Sequence, residues 1–148
     1  MIKSDIYNKS IRAIRFIFYK DISIQDQISI TKILDEGFLS LFWQLKKEDR
    51  AHSLEVMKRV KKISKEKEMY KLALVHDIGK VCSDIGWFGR IFADIGFNRS
   101  ITAKKYKDHE TMGKFLLLRT KTVTNEDIKL YIDHLIIDRH QLLEWCDY

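Results

Sequence analysis

The sequence predicts an all-α fold, a single-domain bundle of about six to eight helices. Three observations lead there. Proline is absent from all 148 residues, so no residue withholds a backbone N–H or drives a ring into the preceding turn. Apolar residues recur at helical spacing almost throughout. No alternating apolar and polar run of useful length marks a strand. A chain of 148 residues suits one domain and can bury a core without disulfides or a structural metal. Its 45% hydrophobic and 32% charged content is a globular balance.

Taken in order, residues 9–20 and 25–45 read as N-terminal helices, with Gly37 an interruption. Glu48 and Asp49 stand where acidic residues favour a helix start. The helix they open is expected to run to about Lys65, with His52, Val56, Val60 and Ile63 on one face. Residues 66–78 form a short apolar helix, ended by Gly79, since glycine accepts the left-handed backbone that closes many helices. Four of the six glycines, Gly79, Gly86, Gly89 and Gly96, fall close together and mark the region expected to be irregular. Helices follow over residues 87–95 and 108–119. Thr124-Asn125-Glu126-Asp127 caps another over 125–137, and a last one runs from about Arg139. There is no repeat, linker or low-complexity tract.

Composition excludes several classes. No stretch approaches the roughly 18 apolar residues of a membrane span. The apolar segment Ile11–Lys20 is too short, carries two arginines, and shows no signal-peptide cleavage pattern. It reads as an amphipathic helix that packs on the core or on a partner. Cys82 and Cys146 form no CxxC pair and read as reduced, mostly buried thiols, which places the chain in the cytoplasm. The net charge of +6 favours anionic ligands without naming one. The basic run from Lys58 to Lys71, diluted by Glu66 and Glu68, reads as the solvated side of a helix before a nucleic-acid patch.

The sharpest local feature is His76-Asp77-Ile78-Gly79-Lys80. Adjacent residues on a helix point about 100° apart, so the pair can straddle a cation in front of the helix. Leu72-Ala73-Leu74-Val75 immediately before it implies burial, and a buried histidine and aspartate need partners. Metal coordination would satisfy both.

With these residues the sequence resembles the HD superfamily of metal-dependent phosphohydrolases, whose pattern is a histidine, a His-Asp doublet and a distant aspartate. The matching positions are His52, His76, Asp77 and Asp147, in the segments 48–56, 72–80 and 142–147. His109, followed by Gly113, and His134 extend the match to the order of two-metal members. The resemblance covers residues 48–147. It implies a metal-binding helical core over 48–148. Residues 1–47 lie outside the motif region and read as a helical cover or a homodimer surface. It further implies that His52, His76, Asp77 and Asp147 hold one ion, and that Asp77 bridges to a second held by His109 and His134. Imidazole and carboxylate donors without thiolate favour iron, manganese, cobalt or nickel, with magnesium admissible. One or two such ions suit hydrolysis of a phosphomonoester or phosphodiester by metal-bound hydroxide. The expected substrate is a small, nucleotide-like molecule, with Asp77 and Lys80 as catalytic residues.

Plainer readings stand beside these. Lys80 serves equally to close its helix electrostatically. His109 and His134 compete with surface or supporting roles. His140 belongs to no motif and reads as a surface histidine. Asp84 reads as a loop cap and Glu110 as ordinary helix-start acidity. Trp87, Phe88, Phe92 and Phe97 read as core before pocket wall. Asp147 ends a short segment, so its helix must be anchored, and Leu142, Leu143 and Trp145 are the expected anchors. The rival functions are a non-catalytic module of the same type that binds a nucleotide or partner, a diiron oxygenase and, last, RNA binding.

Overall fold

The computed structural model describes residues 21–82 and 108–147. The helices expected over 9–20 and 87–95 lie outside the described residues, as do Asp84, Gly86, Trp87, Phe88, Gly89, Phe92, Gly96 and Phe97. Among the described residues the structure is all-helical and contains no strand. The elements are α1 (Ile24–Ile33), α2 (Glu36–Gln44), α3 (Lys47–Ile63), α4 (Lys67–Val75), a 3-10 segment (Ile78–Cys82), α5 (His109–Arg119), α6 (Asn125–Tyr131), a π segment (Ile132–Ile137) and α7 (Gln141–Cys146). None of these helices is long and apolar enough to cross a membrane.

The stretch expected as one helix interrupted at Gly37 is two helices. The break falls earlier, at Leu34, whose backbone is extended and whose side chain is buried, and at Asp35, the N-cap of α2. Ser23 starts α1, its hydroxyl accepting from the Asp26 N–H at 3.2 Å. Arg50 donates to the carbonyls of Leu45 (2.6 Å) and Trp43 (3.2 Å), so acceptors at the end of α2 that lack helical partners are satisfied.

In α3, Asp49, His52, Ser53, Val56, Met57 and Val60 are buried, while Lys58, Lys61 and Lys62 face solvent. Ile63, expected on the buried face, is 65% exposed. It is the last residue of the helix, where the chain turns away at Ser64 through the exposed Lys65 and Glu66. The hub is α4. Leu72, Ala73, Leu74 and Val75 are fully buried, and α1, α2, α3, α6 and α7 all pack against it. Each such leucine contributes about 1.5–3 kcal/mol relative to exposure.

Gly79 does not end α4 in the left-handed region. The helix stops at Val75, His76 keeps right-handed geometry, and Gly79 sits inside the 3-10 segment without a positive φ. Its role is close approach: a Cβ there would collide with the carbonyl of His109. Gly113 does the same one turn along α5, where a Cβ would meet the Tyr131 hydroxyl. These contacts let the first turn of α5 lie directly on the segment that follows the His-Asp doublet.

Thr124 caps α6 as expected, accepting from the Asp127 N–H at 3.1 Å. Past Tyr131 the helix widens, and the Asp138 N–H reaches the Asp133 carbonyl five residues back, at 3.2 Å. His140 is not a bystander. It is the N-cap of α7, its Nδ1 accepting from the Leu142 N–H at 3.3 Å. The terminal helix is held by buried Leu143 and Cys146, with Leu142 partly buried, and by Arg59, which donates to the Cys146 carbonyl at 2.9 Å. Trp145, expected to anchor it, is 65% exposed, because it points away from the face shared by Leu143 and Cys146. Of the two thiols Cys146 is buried and Cys82 is exposed, so the expectation of two buried cysteines holds for only one.

Candidate metal centre

Three elements bring the site together. His52 projects from the buried face of α3. His76 and Asp77 follow directly on the last turn of α4. Asp147 is the C-cap of α7, its N–H bonded to the Leu143 carbonyl at 2.9 Å. His52 Nε2 lies 2.8 Å from Asp147 Oδ1, and His76 Nε2 lies 3.4 Å from the same oxygen. The two imidazoles meet edge to face with centroids 5.7 Å apart. One donor atom from each of His52, His76 and Asp147 falls within 4.8 Å of the others. Asp77 adjoins this group, with Oδ2 at 3.5 Å from His76 Nε2.

The His76 ring tests whether a cation belongs there. Nδ1 lies 2.8 Å from the Ala73 carbonyl, an acceptor only, so Nδ1 carries the proton and donates. Nε2 is buried and makes no well-formed hydrogen bond. It faces two carboxylate oxygens at 3.4 and 3.5 Å. A bare lone pair aimed at two anions is unfavourable in a buried setting, so a positive species, either a proton or a metal ion, fits this position. Two imidazole nitrogens and carboxylate oxygens are a donor set that first-row transition metals accept.

The electrostatics follow from the same crowding. Burial works against a charge on His76, but the Asp77 and Asp147 carboxylates outweigh it and push the imidazole up to about 9. Burial alone would raise the Asp77 carboxyl. The charges of His76 and Lys80 and the hydrogen bond from His109 instead hold it well below the usual carboxylate range. Asp147 behaves alike: burial raises it, while His76 and His52 depress it far more.

Asp77 also faces the other way. Its Oδ1 lies 3.0 Å from Nε2 of His109, the first residue of α5, and its Oδ2 accepts from Lys80 Nζ at 2.6 Å. Lys80 Nζ is also 4.0 Å from Oδ1 of Asp49, which is completely buried. His52, His76, Asp77, His109 and Asp147 are thus brought together, with Lys80 alongside. His134 is placed differently. It lies on the π segment, half-buried, with its ring 5.7 Å from that of His140.

The sequence motifs assign no site role to Asp49, Glu110, Arg139 or Tyr131, which all lie in this neighbourhood. Asp49, read only as helix-start acidity, sits one turn before His52 on the same face, a spacing that was there to be used. Glu110 is more than that as well, since it pairs with Arg139. Arg139 itself carried no local signal. It donates to Asp147 Oδ2 at 2.8 Å, and only the folded chain reveals this. Tyr131, whose hydroxyl donates to the Glu110 carbonyl at 3.3 Å, is held protonated by burial together with the charge of Glu110.

Comparison of the chain with protein-family models, curated proteins and solved structures returned no match.

Proposed function

We propose that the chain is a metal-dependent phosphohydrolase of the HD type. Its substrate is a phosphomonoester or phosphodiester in a small, nucleotide-like molecule. The observation that carries this reading is the convergence of His52, His76 and Asp147 from three separate elements onto one buried point, with Asp77 beside them. These four side chains would hold a divalent ion of the iron, manganese, cobalt or nickel kind. Bound there, such an ion supplies Lewis acidity and lowers the pKa of a coordinated water.

The protein's own groups have distinct tasks. The Ala73 carbonyl fixes the His76 tautomer, so Nε2 is the nitrogen offered to the ion. Asp77 divides its two oxygens between Lys80 and His109, which makes it the link between the triad and any second ion that His109 helps to hold. Lys80 is a compact cation whose position is set by Asp77 and Asp49, suited to a phosphate oxygen that approaches it. The chain's +6 charge adds a general attraction for anionic substrates.

The test is metal content by elemental analysis together with turnover on a broad panel of phosphate esters, for the wild type and Asp77→Ala. The reading expects bound transition metal, hydrolysis of at least one ester, and loss of that activity in the variant. Metal-replete protein inactive across the panel would overturn it. Tight nucleotide binding without turnover would move the assignment to a binding module.

A further inference from the structure

We propose that Arg139 is the positioning residue of the centre: it holds one oxygen of Asp147 so that the other faces His52 and His76. This rests on reading the cluster as a metal site. Asp147 closes a helix of only six residues. Its two oxygens are sharply divided. Oδ1 meets His52 at 2.8 Å and His76 at 3.4 Å, while Oδ2 receives the Arg139 Nη2 donor at 2.8 Å.

Arg139 is itself held from the far side. Its Nη1 pairs with Oε1 of Glu110 in the first turn of α5, next to His109. A guanidinium is planar with its donors at fixed angles, so anchoring one nitrogen sets where the other points. The orientation of the last ligand is therefore dictated by α5 through Arg139. The three side chains are only 20–31% exposed, so the pairing is sheltered compared with an open surface ion pair.

Two other roles predict different behaviour. If Arg139 acted only through its charge, removing it would tighten binding of a cation nearby, since a like charge has left. If it merely pinned α7 down, removing it would lower stability and leave the affinity and spectrum of the folded protein alone. A positioning role predicts the opposite sign from the first and a ligand-field change that the second lacks.

The experiment titrates full-length, chelator-treated protein with Co²⁺, by calorimetry and by visible absorption, for the wild type, Arg139→Gln and Arg139→Lys. Urea denaturation of each metal-free protein runs alongside. The expected result is a Co²⁺ affinity about 10–100-fold weaker in Arg139→Gln, in the range found for residues that orient ligands, with a shifted absorption band. Arg139→Lys keeps the charge and loses the fork, and is expected to recover only part of both. Should Arg139→Gln fail to fold, Arg139→Lys still separates the roles: with the charge kept, weaker binding and a shifted band support positioning, and wild-type values overturn it. Wild-type affinity and spectrum in a folded variant, or tighter binding in Arg139→Gln, overturns the proposal. A wild type that binds no Co²⁺ overturns the metal reading itself, a result distinct from either.

Discussion

His52 Nε2 and Asp147 Oδ1 stand 2.8 Å apart although 95 residues separate them in the chain. The contact joins the second turn of α3 to the residue that ends α7, and through it the terminal helix becomes part of the site.

Asp147→Asn keeps the shape of the side chain and removes its charge. Added Mn²⁺ at a hundredfold excess over its dissociation constant should stabilise the wild type by about 2.7 kcal/mol. The same Mn²⁺ concentration should stabilise the variant negligibly, because a neutral amide is a far poorer donor. Thermal unfolding with and without Mn²⁺ checks this, and an undiminished shift in Asp147→Asn would remove that residue from the ligand set.

The terminal helix separates its anchor from its ornament. Leu143 is buried and Trp145 is exposed. Leu143→Ala should cost about 2–5 kcal/mol and weaken metal uptake along with it, since Asp147 travels with the helix. Trp145→Ala should stay within about 0.5 kcal/mol of the wild type. Urea denaturation decides, and similar losses in both would mean that the docking face has been misassigned.

Gly79→Ala and Gly113→Ala each place a methyl group where α5 has no room for one. Overpacking of this kind costs about 1–3 kcal/mol, and more where backbone must move. Gly79→Ala should be the worse, because its obstacle is the His109 carbonyl and not the tip of a side chain. Denaturation midpoints would show the order. Midpoints equal to the wild type would mean that the close approach is easily relaxed.

The metal-free protein should lose stability in alkali through His76. Its imidazole rises from 6.5 to about 9 on folding, so its contribution is complete below 6.5 and disappears as pH rises through 9. Asp77 and Asp147 are depressed from 3.8, so their contribution is present above 3.8 and is lost as pH falls further. Urea midpoints of chelator-treated protein from pH 5 to 10 should fall at the alkaline end, and His76→Gln should flatten that fall. An alkaline limb of the same depth in the variant would show that another group is responsible.

How much of this was legible follows the range of each signal. The helices and the Thr124 cap rest on spacings of three and four residues, and the burial of Leu72 to Val75 on an unbroken apolar run, all of which the sequence displays openly. His76 and Asp77 stood out because they continue an apolar run. Ile63 departs from expectation because periodicity says which residues share a face and not where the helix ends, whereas Trp145 departs because the buried face of its helix is the one shared by Leu143 and Cys146. Gly79 looks like a helix stop in sequence because a stop is a local property, whereas its actual constraint comes from the carbonyl of His109, thirty residues on. Arg139 was invisible for the same reason: its partners, Glu110 and Asp147, lie on two other elements.

The π segment between Tyr131 and Asp138 sets where the chain leaves that coil. A wide turn spends an extra residue on one revolution. Were the same residues wound at the ordinary 3.6 per turn, that residue would be left over, and the chain would leave about 100° round from its present exit at Asp138. Arg139 follows immediately, and its reach to Glu110 starts from that exit. The irregular revolution thus works as a built-in offset, and the aim of the final acidic side chain depends on keeping it.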